Sequence, residues 1–336
     1  MDGIKKIPHP CGPCVAKPRR TPELNQDTVV IVAGPTASGK SALALALARH
    51  YGGTIINADA LQVYRDLRIL TARPDEAAQA RAPHRLYGYL DAAARGSAAR
   101  WRDLALAEIA AALGAGRLPI VVGGTGLYLR ALRQGLAPVP DIPPEIRDEA
   151  AALYRALGGA AFRTNLATLD PAAATRLPPG DRTRLTRAYE VARATGVPLG
   201  EWQRHAAAPA PYRFATLLLA PPRAALYAAC DARFAAMIET GGLDEAAALF
   251  ARGLAADLPA MKAVGVPELM RHLRGEIALA EAVGAAQMAT RRYAKRQMTW
   301  FRHQLDAELI CNEQYSESFL HCSRHFIDQF LLTRRP

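Results

Sequence analysis

From Thr28 the chain opens on an unbroken apolar run, Thr28-Val-Val-Ile-Val-Ala33, rich in β-branched residues, which predicts a strand buried on both faces. A Gly-rich stretch follows, then Ser41-Ala-Leu-Ala-Leu-Ala-Leu-Ala48, whose residues favour helix. Thr54-Ile-Ile-Asn-Ala58 predicts a second buried strand ending at Asp59. Leu118-Pro-Ile-Val-Val-Gly123 predicts a third, reached through an Ala-rich helix around Trp101 to Leu113. Strands that alternate with helices imply a parallel α/β sheet.

Between Pro138 and Pro211 the strand signal disappears. Ala-rich helical segments there are punctuated by Asp170-Pro171, Pro178-Pro179-Gly180 and Thr195-Gly196, a pattern that predicts a helical insertion. Phe214-Ala-Thr-Leu-Leu-Leu-Ala220 restores a buried strand. Helices are expected from there to about Asp306, with breaks at Gly241-Gly242, Gly265 to Pro267, and Gly275. Residues 1–27 carry Pro8, Pro10, Pro13, Pro18 and Pro22 with little apolar periodicity and read as a flexible arm. From Ile310 the sequence is more polar and irregular and suggests no role. The expected organisation is an arm over 1–27, a core over 28–140 and 212–306, an insertion over 141–211 and a tail over 307–336.

Composition adds constraints to this pattern. The 336 residues are 50% hydrophobic and 22% charged, as in chains that bury a sizeable core. Lys and Arg number 42 against 31 Asp and Glu, a net charge of +11 that implies a polyanionic partner, nucleic acid before anionic membrane. No stretch reaches the 18 or more apolar residues of a membrane span, and the N-terminus lacks the apolar core of a signal peptide, so the cytoplasm is the expected address. Five Cys, an odd and sparse count, argue against a disulfide framework.

The chemistry begins at Gly34-Pro35-Thr36-Ala37-Ser38-Gly39-Lys40-Ser41. Two glycines at the required spacing, then Lys and Ser, stand between a predicted strand and helix, the context a phosphate-binding loop needs. Backbone N–H groups of such a loop converge on phosphate oxygens. The helix N-terminus adds partial positive charge, Lys40 supplies a point charge, and Ser41 is suited to hold Mg²⁺. A di- or triphosphate is the expected ligand, on a P-loop NTPase-like core.

A common ATPase would end its third strand in a metal-coordinating Asp, but here that strand ends in Gly123-Gly124-Thr125-Gly126. The acid stands instead at Asp59, after the second strand, and ligands of such sheets bind outside the carboxyl ends of strands. Asp59 fits a metal ligand, a general base or a helix cap. Thr125, between glycines, offers a hydroxyl with close backbone approach, or belongs to a tight turn.

Taken in order, these segments resemble the tRNA dimethylallyltransferases, also called tRNA isopentenyltransferases. The resemblance rests on Gly34–Ser41, on Asp59-Ala-Leu-Gln-Val-Tyr64, and on Gly123-Gly-Thr-Gly-Leu-Tyr128. It continues in Asp181-Arg-Thr-Arg-Leu-Thr-Arg-Ala-Tyr-Glu190 and Arg291-Arg-Tyr-Ala-Lys-Arg-Gln-Met-Thr-Trp-Phe-Arg302, and covers about Thr28 to Asp306. Departures are Ala60 for the usual Ser, Leu70 and Arg73 within an I-G-T-A-K element, and Val266-Pro267 for a Tyr-containing one.

The resemblance implies transfer of a dimethylallyl group from dimethylallyl diphosphate to N6 of the adenosine immediately 3′ of the anticodon, with Mg²⁺ held by Ser41. It implies catalysis by Asp59, Thr125 and Lys40, and diphosphate binding along Gly34, Pro35, Thr36, Ala37, Ser38, Gly39, Lys40 and Ser41. Contact with the tRNA anticodon stem-loop is implied for Asp59, Ala60, Leu61, Gln62, Thr125, Arg147, Thr183, Arg184, Leu185, Thr186, Arg187 and Lys262, with Gln62 and Tyr64 seating the adenine edge. The expected protein is a monomer.

The residues themselves leave rivals. A small-molecule kinase would use the same loop for ATP, with the insertion as a lid, and an adenine-nucleotide prenyltransferase would share loop and aspartate. A nucleotide-switched RNA-binding protein is a third alternative. The long insertion and the Arg clusters favour a macromolecular, anionic acceptor. Residues 176–193 contain five Arg against two acids, with Arg184 and Arg187 on one helix face. Around Arg291–Arg302, cations interleave with Tyr293, Trp300 and Phe301. The aromatics and Gln297 fit the core-facing stripe of a helix, leaving the cations to function. Cys11-Gly-Pro-Cys14 has redox-motif spacing without the strand and helix such a site needs, and reads as incidental.

Overall fold

The computed structural model describes residues 27–205 and 208–333. The predicted arm, with Cys11 and Cys14, lies outside the described residues apart from Asp27. The sheet contains β1 (Thr28–Ala33), β2 (Thr54–Asn57), β3 (His84–Arg85), β4 (Pro119–Gly123), β5 (Arg213–Leu219) and β6 (Leu309–Cys311) in the order β3-β2-β4-β1-β5-β6. Every pairing is parallel, with Val30 opposite Ile120 on one side of β1 and Val29 opposite Phe214 on the other.

Parallel strands need crossover connections, and the helices that make them cover both faces of the sheet. Because side chains alternate along a strand, β1 feeds two cores. Val29, Ile31 and Ala33 join Trp101, Ile109, Leu129 and Phe301. Val30 and Val32 join Leu43, Leu47, Phe319 and Ile327. The first core is covered by α3 (Ala98–Gly114), α4 (Gly126–Gln134), α9 (Arg223–Met237), α10 (Leu243–Ala251), α11 (Val266–Leu273) and α12 (Leu279–Gln304). The second is covered by α1 (Lys40–Tyr51), with the short α2 (Glu76–Arg81) nearby, and by α13 (Glu317–Leu332).

Between β4 and β5 the chain leaves the sheet and forms α5 (Pro144–Leu166), α6 (Pro171–Arg176), α7 (Arg182–Thr195) and α8 (Leu199–Arg204). The first three of these helices pack on a small core of their own that includes Phe162, Leu166, Leu185, Ala188 and Tyr189. The breaks expected after β5 fall at helix ends. Gly241-Gly242 closes a π-helical turn over Ile238–Gly242, while Pro267 sits in the first turn of α11, where its missing N–H costs nothing.

The tail differs most from the sequence reading. Instead of irregular chain it supplies β6, which pairs with β5 through Leu217 and Leu309, and α13, whose Phe319, Ser323, Ile327 and Leu331 recur every fourth residue on the buried face. A three-residue strand among polar neighbours leaves almost no alternation to detect, and the apolar stripe of α13 is interrupted by His and Ser. The sheet and its second core therefore continue well past residue 306.

Candidate active site

The phosphate loop leaves β1 at the carboxyl edge of the sheet, between the ends of β4 and β5. Ala37 and Gly39 both take positive φ, 63° and 89°, which turns the intervening peptides inward before α1 starts at Lys40. At Gly39 a side chain is doubly excluded, by the φ and by Tyr315, whose Cβ would lie 2.6 Å from an added Cβ. Tyr315 also donates its N–H to Ser38 O at 3.3 Å, and Gln314 Nε2 reaches Ala37 O at 3.5 Å. The segment between β6 and α13 thus backs the loop.

Inside the loop, Lys40 is 8% exposed and its Nζ donates to Pro35 O at 3.2 Å. Burial pushes its pKa down to about 8, with the Asp59 carboxylate opposing the shift and Arg233 adding to it. Ser38 is fully buried and its Oγ has no partner among the described residues. Ser41 is exposed on the first turn of α1. Desolvated positive charge and an unpartnered hydroxyl together favour a bound anion.

Opposite the loop, Asp59 follows β2. Its N–H donates to Asn57 Oδ1 at 2.8 Å, and its own Oδ1 accepts Leu61 N–H at 3.0 Å. The fully buried Asn57 holds this turn: its Nδ2 donates to Asp59 O and to Leu86 O, both at 3.0 Å, while its backbone carbonyl accepts Trp101 Nε1–H at 2.8 Å. From the end of β4, Thr125 Oγ1 accepts Ala60 N–H at 2.9 Å. The Thr125 hydroxyl also lies against Tyr293, so it links the turn of Asp59 to α12.

Helix α9 completes the site. Cys230, Arg233, Phe234 and Met237, spaced to share one helix face, line a cleft together with Thr36, Asp59, Leu61, Leu70, Thr71, Val264, Thr290 and Tyr293. The Arg233 guanidinium donates to Thr36 Oγ1, and burial lowers its pKa. The lining therefore combines a cation and hydroxyls with apolar side chains. The wall formed by Leu70 and Thr71 is pinned by Glu245, whose carboxylate accepts the N–H groups of Arg68, Ile69 and Leu70 at 2.7 to 2.9 Å.

The structure brings together Gly34 to Ser41, Asp59, Ala60, Leu61 and Thr125, and separates others expected with them. Tyr64 cannot seat a base: it is 1% exposed in the sheet core. Gln62 gives its amide to Thr71 O at 2.8 Å and Ala72 O at 3.2 Å. In the insertion, Leu185 is 0% exposed on the inner side of α7 and cannot meet a partner, a consequence of helical period that residue-by-residue transfer of a motif overlooks. Thr183 and Arg184 are exposed on α7, with Thr186 and Arg187 partly so. Arg184 pairs with Asp181 and Arg187 with Glu190, each at 3.4 Å. Burial raises the Glu190 pKa against the pull of Arg187, with Arg147 also nearby. Lys262 is exposed in the turn before α11.

Three residues escaped the sequence reading. Arg233 could have been found as a cation beside the apolar positions Cys230, Phe234 and Met237 of one helix face. Tyr293 lines the cleft beside Thr125 instead of serving only the core. Asn57 carried no signal, since one polar residue at a strand end is ordinary. Among the described residues no group of three His, Cys, Asp or Glu could hold a metal ion, and no helix is long and apolar enough to cross a membrane.

A phosphate loop beside a carboxylate and a partly apolar cleft, with no acid at the end of β4, fits a transferase better than a common ATPase. Comparison with known proteins specifies the family. A family model for IPP transferase matches residues 62–304, and one for isopentenyl transferase matches residues 27–95. The tRNA dimethylallyltransferase of Rhodospirillum centenum is 61% identical over 281 residues, 83% of this chain and 90% of that protein. The crystal structure of the full-length tRNA isopentenylpyrophosphate transferase from Bacillus halodurans superposes with a TM-score of 0.65 at 32% identity, covering 91% of this chain and 97% of the other. A eukaryotic dimethylallyltransferase acting on tRNA, 24% identical, shares the fold with a TM-score of 0.76 over 90% of this chain and 80% of its own. The chain belongs to the tRNA dimethylallyltransferase family.

Proposed function

We infer that the protein transfers the dimethylallyl group of dimethylallyl diphosphate to N6 of the adenosine 3′ of the anticodon in tRNA, releasing diphosphate. The observation that carries this reading is the grouping of the buried Lys40 with Asp59 and Arg233, the latter two lining a partly apolar cleft, and of Thr125 with the turn that holds Asp59. In this reading the diphosphate lies in the loop Gly34–Ser41, bonded to backbone N–H groups and to the side chains of Lys40 and Arg233. As the allylic C1–O bond breaks, the electron pair leaves with the diphosphate, and these fixed donors stabilise the charge that develops there.

The N6 lone pair is delocalised into the adenine ring, so the amine attacks C1 weakly unless its proton is removed in step. The Asp59 carboxylate accepts that proton as the N6–C1 bond forms, a contribution worth roughly 10²–10⁴ in rate. Thr125 donates a hydrogen bond beside it and steadies the acceptor. The residues also fit Mg²⁺: the exposed Ser41 hydroxyl offers a hard oxygen next to the phosphates, and Mg²⁺ takes one or two protein oxygens plus phosphates and water. When bound there, Mg²⁺ neutralises part of the charge on the leaving diphosphate.

The insertion supplies the grip on the acceptor. Thr183, Arg184 and Arg187 on α7, with Arg147 and Lys262, form a cationic rim suited to the phosphates of an anticodon stem-loop, from which the adenine is extruded into the cleft. The test is incubation with Mg²⁺, radiolabelled dimethylallyl diphosphate and unmodified tRNA, followed by nucleoside analysis. Label in N6-dimethylallyladenosine is expected. Label in free adenine nucleotide alone, or ATP consumption without label in tRNA, would replace this reading by one of its rivals.

A further inference from the structure

Gln297 stands on the buried side of α12, 6% exposed, between the phosphate loop and the loop that follows β4. Its Oε1 accepts the N–H of Thr36 at 2.8 Å, and its Nε2 donates to the carbonyl of Gly124 at 2.9 Å. One planar amide is thus fixed at both ends by loops that belong to different strands. Gly124 makes the approach possible, since a Cβ there would lie 2.2 Å from Nε2. No other side chain type fills this place equally: Glu when ionised only accepts, and would face the Gly124 carbonyl oxygen; Met matches the volume and bonds neither loop.

The two loops hold the two halves of the reaction. Thr36 belongs to the loop assigned to the diphosphate and also carries the hydroxyl bonded by Arg233. Gly124 precedes Thr125, which holds the turn of Asp59 through Ala60. We propose that Gln297 is a positioning residue that fixes the separation of the donor loop from the acceptor-side Thr125 and Asp59, and so the approach of N6 to the allylic carbon. The inference rests on the reading of the site as a dimethylallyl transfer centre. Both polar ends of Gln297 are taken up by the two loops, so its removal is expected to act on the transfer step and to spare both bindings.

The test compares Gln297→Met and Gln297→Glu with the unaltered protein in single-turnover transfer to tRNA, alongside separate Kd values for dimethylallyl diphosphate and for tRNA, and Tm. For Q297M the transfer rate per folded site is expected to fall roughly 10²-fold, the cost of about 1 Å of misplacement, with both Kd values within about threefold. A protonated Glu is shaped like the amide, donating to Gly124 O and accepting from Thr36 N–H. Burial and the facing carbonyl favour that form. The ratio of Q297E to unaltered rate is therefore expected to climb as pH falls from 8 to 6, while the ratio for Q297M stays flat. Unchanged transfer in Q297M, or a loss confined to Kd or to folded fraction, overturns the proposal. If Q297M does not fold, the pH ratio of Q297E decides, and a flat ratio overturns it. An unaltered protein that fails to prenylate tRNA overturns the underlying reading instead.

Discussion

The two ends of the site hold their positive charge in opposite ways. At the phosphate loop, Lys40 is 8% exposed and bonded to Pro35 O, and Arg233 is tied to Thr36, both with pKa values depressed by burial. On the insertion, the Arg184 side chain is 75% exposed and meets only the carboxylate at the start of its own helix, as Arg187 meets the acid one turn on. Charges fixed in a dry pocket need no reorganisation when the reaction develops charge beside them, which suits catalysis. Charges on mobile, hydrated stems suit the capture of a large polyanion, where surface pairs are worth little and screening by salt is strong. In the proposed reading the same residue chemistry is divided between reaction and grip by burial.

Substitution at the buried end is the strongest attempt to break this contrast. Asp59→Asn is expected to lower kcat by roughly 10²–10⁴ with tRNA affinity retained, measured by single-turnover transfer and by filter binding. Lys40→Ala is expected to lower kcat by roughly 10²–10³, as the loss of one fixed donor at a developing charge does. Titration sharpens it next. Lys40 is protonated below its pKa of about 8, so kcat/KM for dimethylallyl diphosphate should hold below that pH and fall toward tenfold per unit above it. A profile flat to pH 10 would mean that the lysine is not the cation the donor meets.

At the exposed end, the double variant R184A/R187A should leave single-turnover transfer at saturating tRNA close to unchanged. It should weaken tRNA binding and reduce the slope of log K against log salt by about 2, one for each phosphate that an arginine no longer neutralises. An unchanged slope would remove these residues from the grip. The smallest expected effect concerns stability. Between pH 8 and 10.5 the folded protein holds fewer protons at Lys40 than the unfolded chain, so ligand-free stability rises with pH through that window, and the cost of burying the cation is fully present below it. Lys40→Met removes that cost, and Tm at pH 7 should rise by roughly 2–4 °C while activity is lost.

The phosphate loop, Asp59 and Thr125 were legible because each is announced locally, by glycines at fixed spacing or by a polar residue where an apolar strand stops. The parallel sheet followed from unbroken apolar runs. What stayed hidden depends on long-range closure. β6 acquires its meaning only from β5, which lies about 90 residues earlier in the chain. Gln297 looked like one more position of a helical stripe, and only the approach of Thr36 and Gly124 gives its amide two partners. Leu185 and Tyr64 mark the converse limit, since a motif passed on as a string includes the residues that hold it as well as those that meet a partner.

The packing of Tyr315 against the phosphate loop has a consequence for synthesis. The loop is encoded around residue 40, yet Ser38 O and the face of Gly39 gain their backing only when residue 315 has emerged and folded down. Domains assemble from the N-terminal side as they are made, so a partly synthesised chain carries a recognisable phosphate loop on an unfinished support. Translation itself thereby delays the bracing of the phosphate loop until residue 315, about 275 residues further on, has been read.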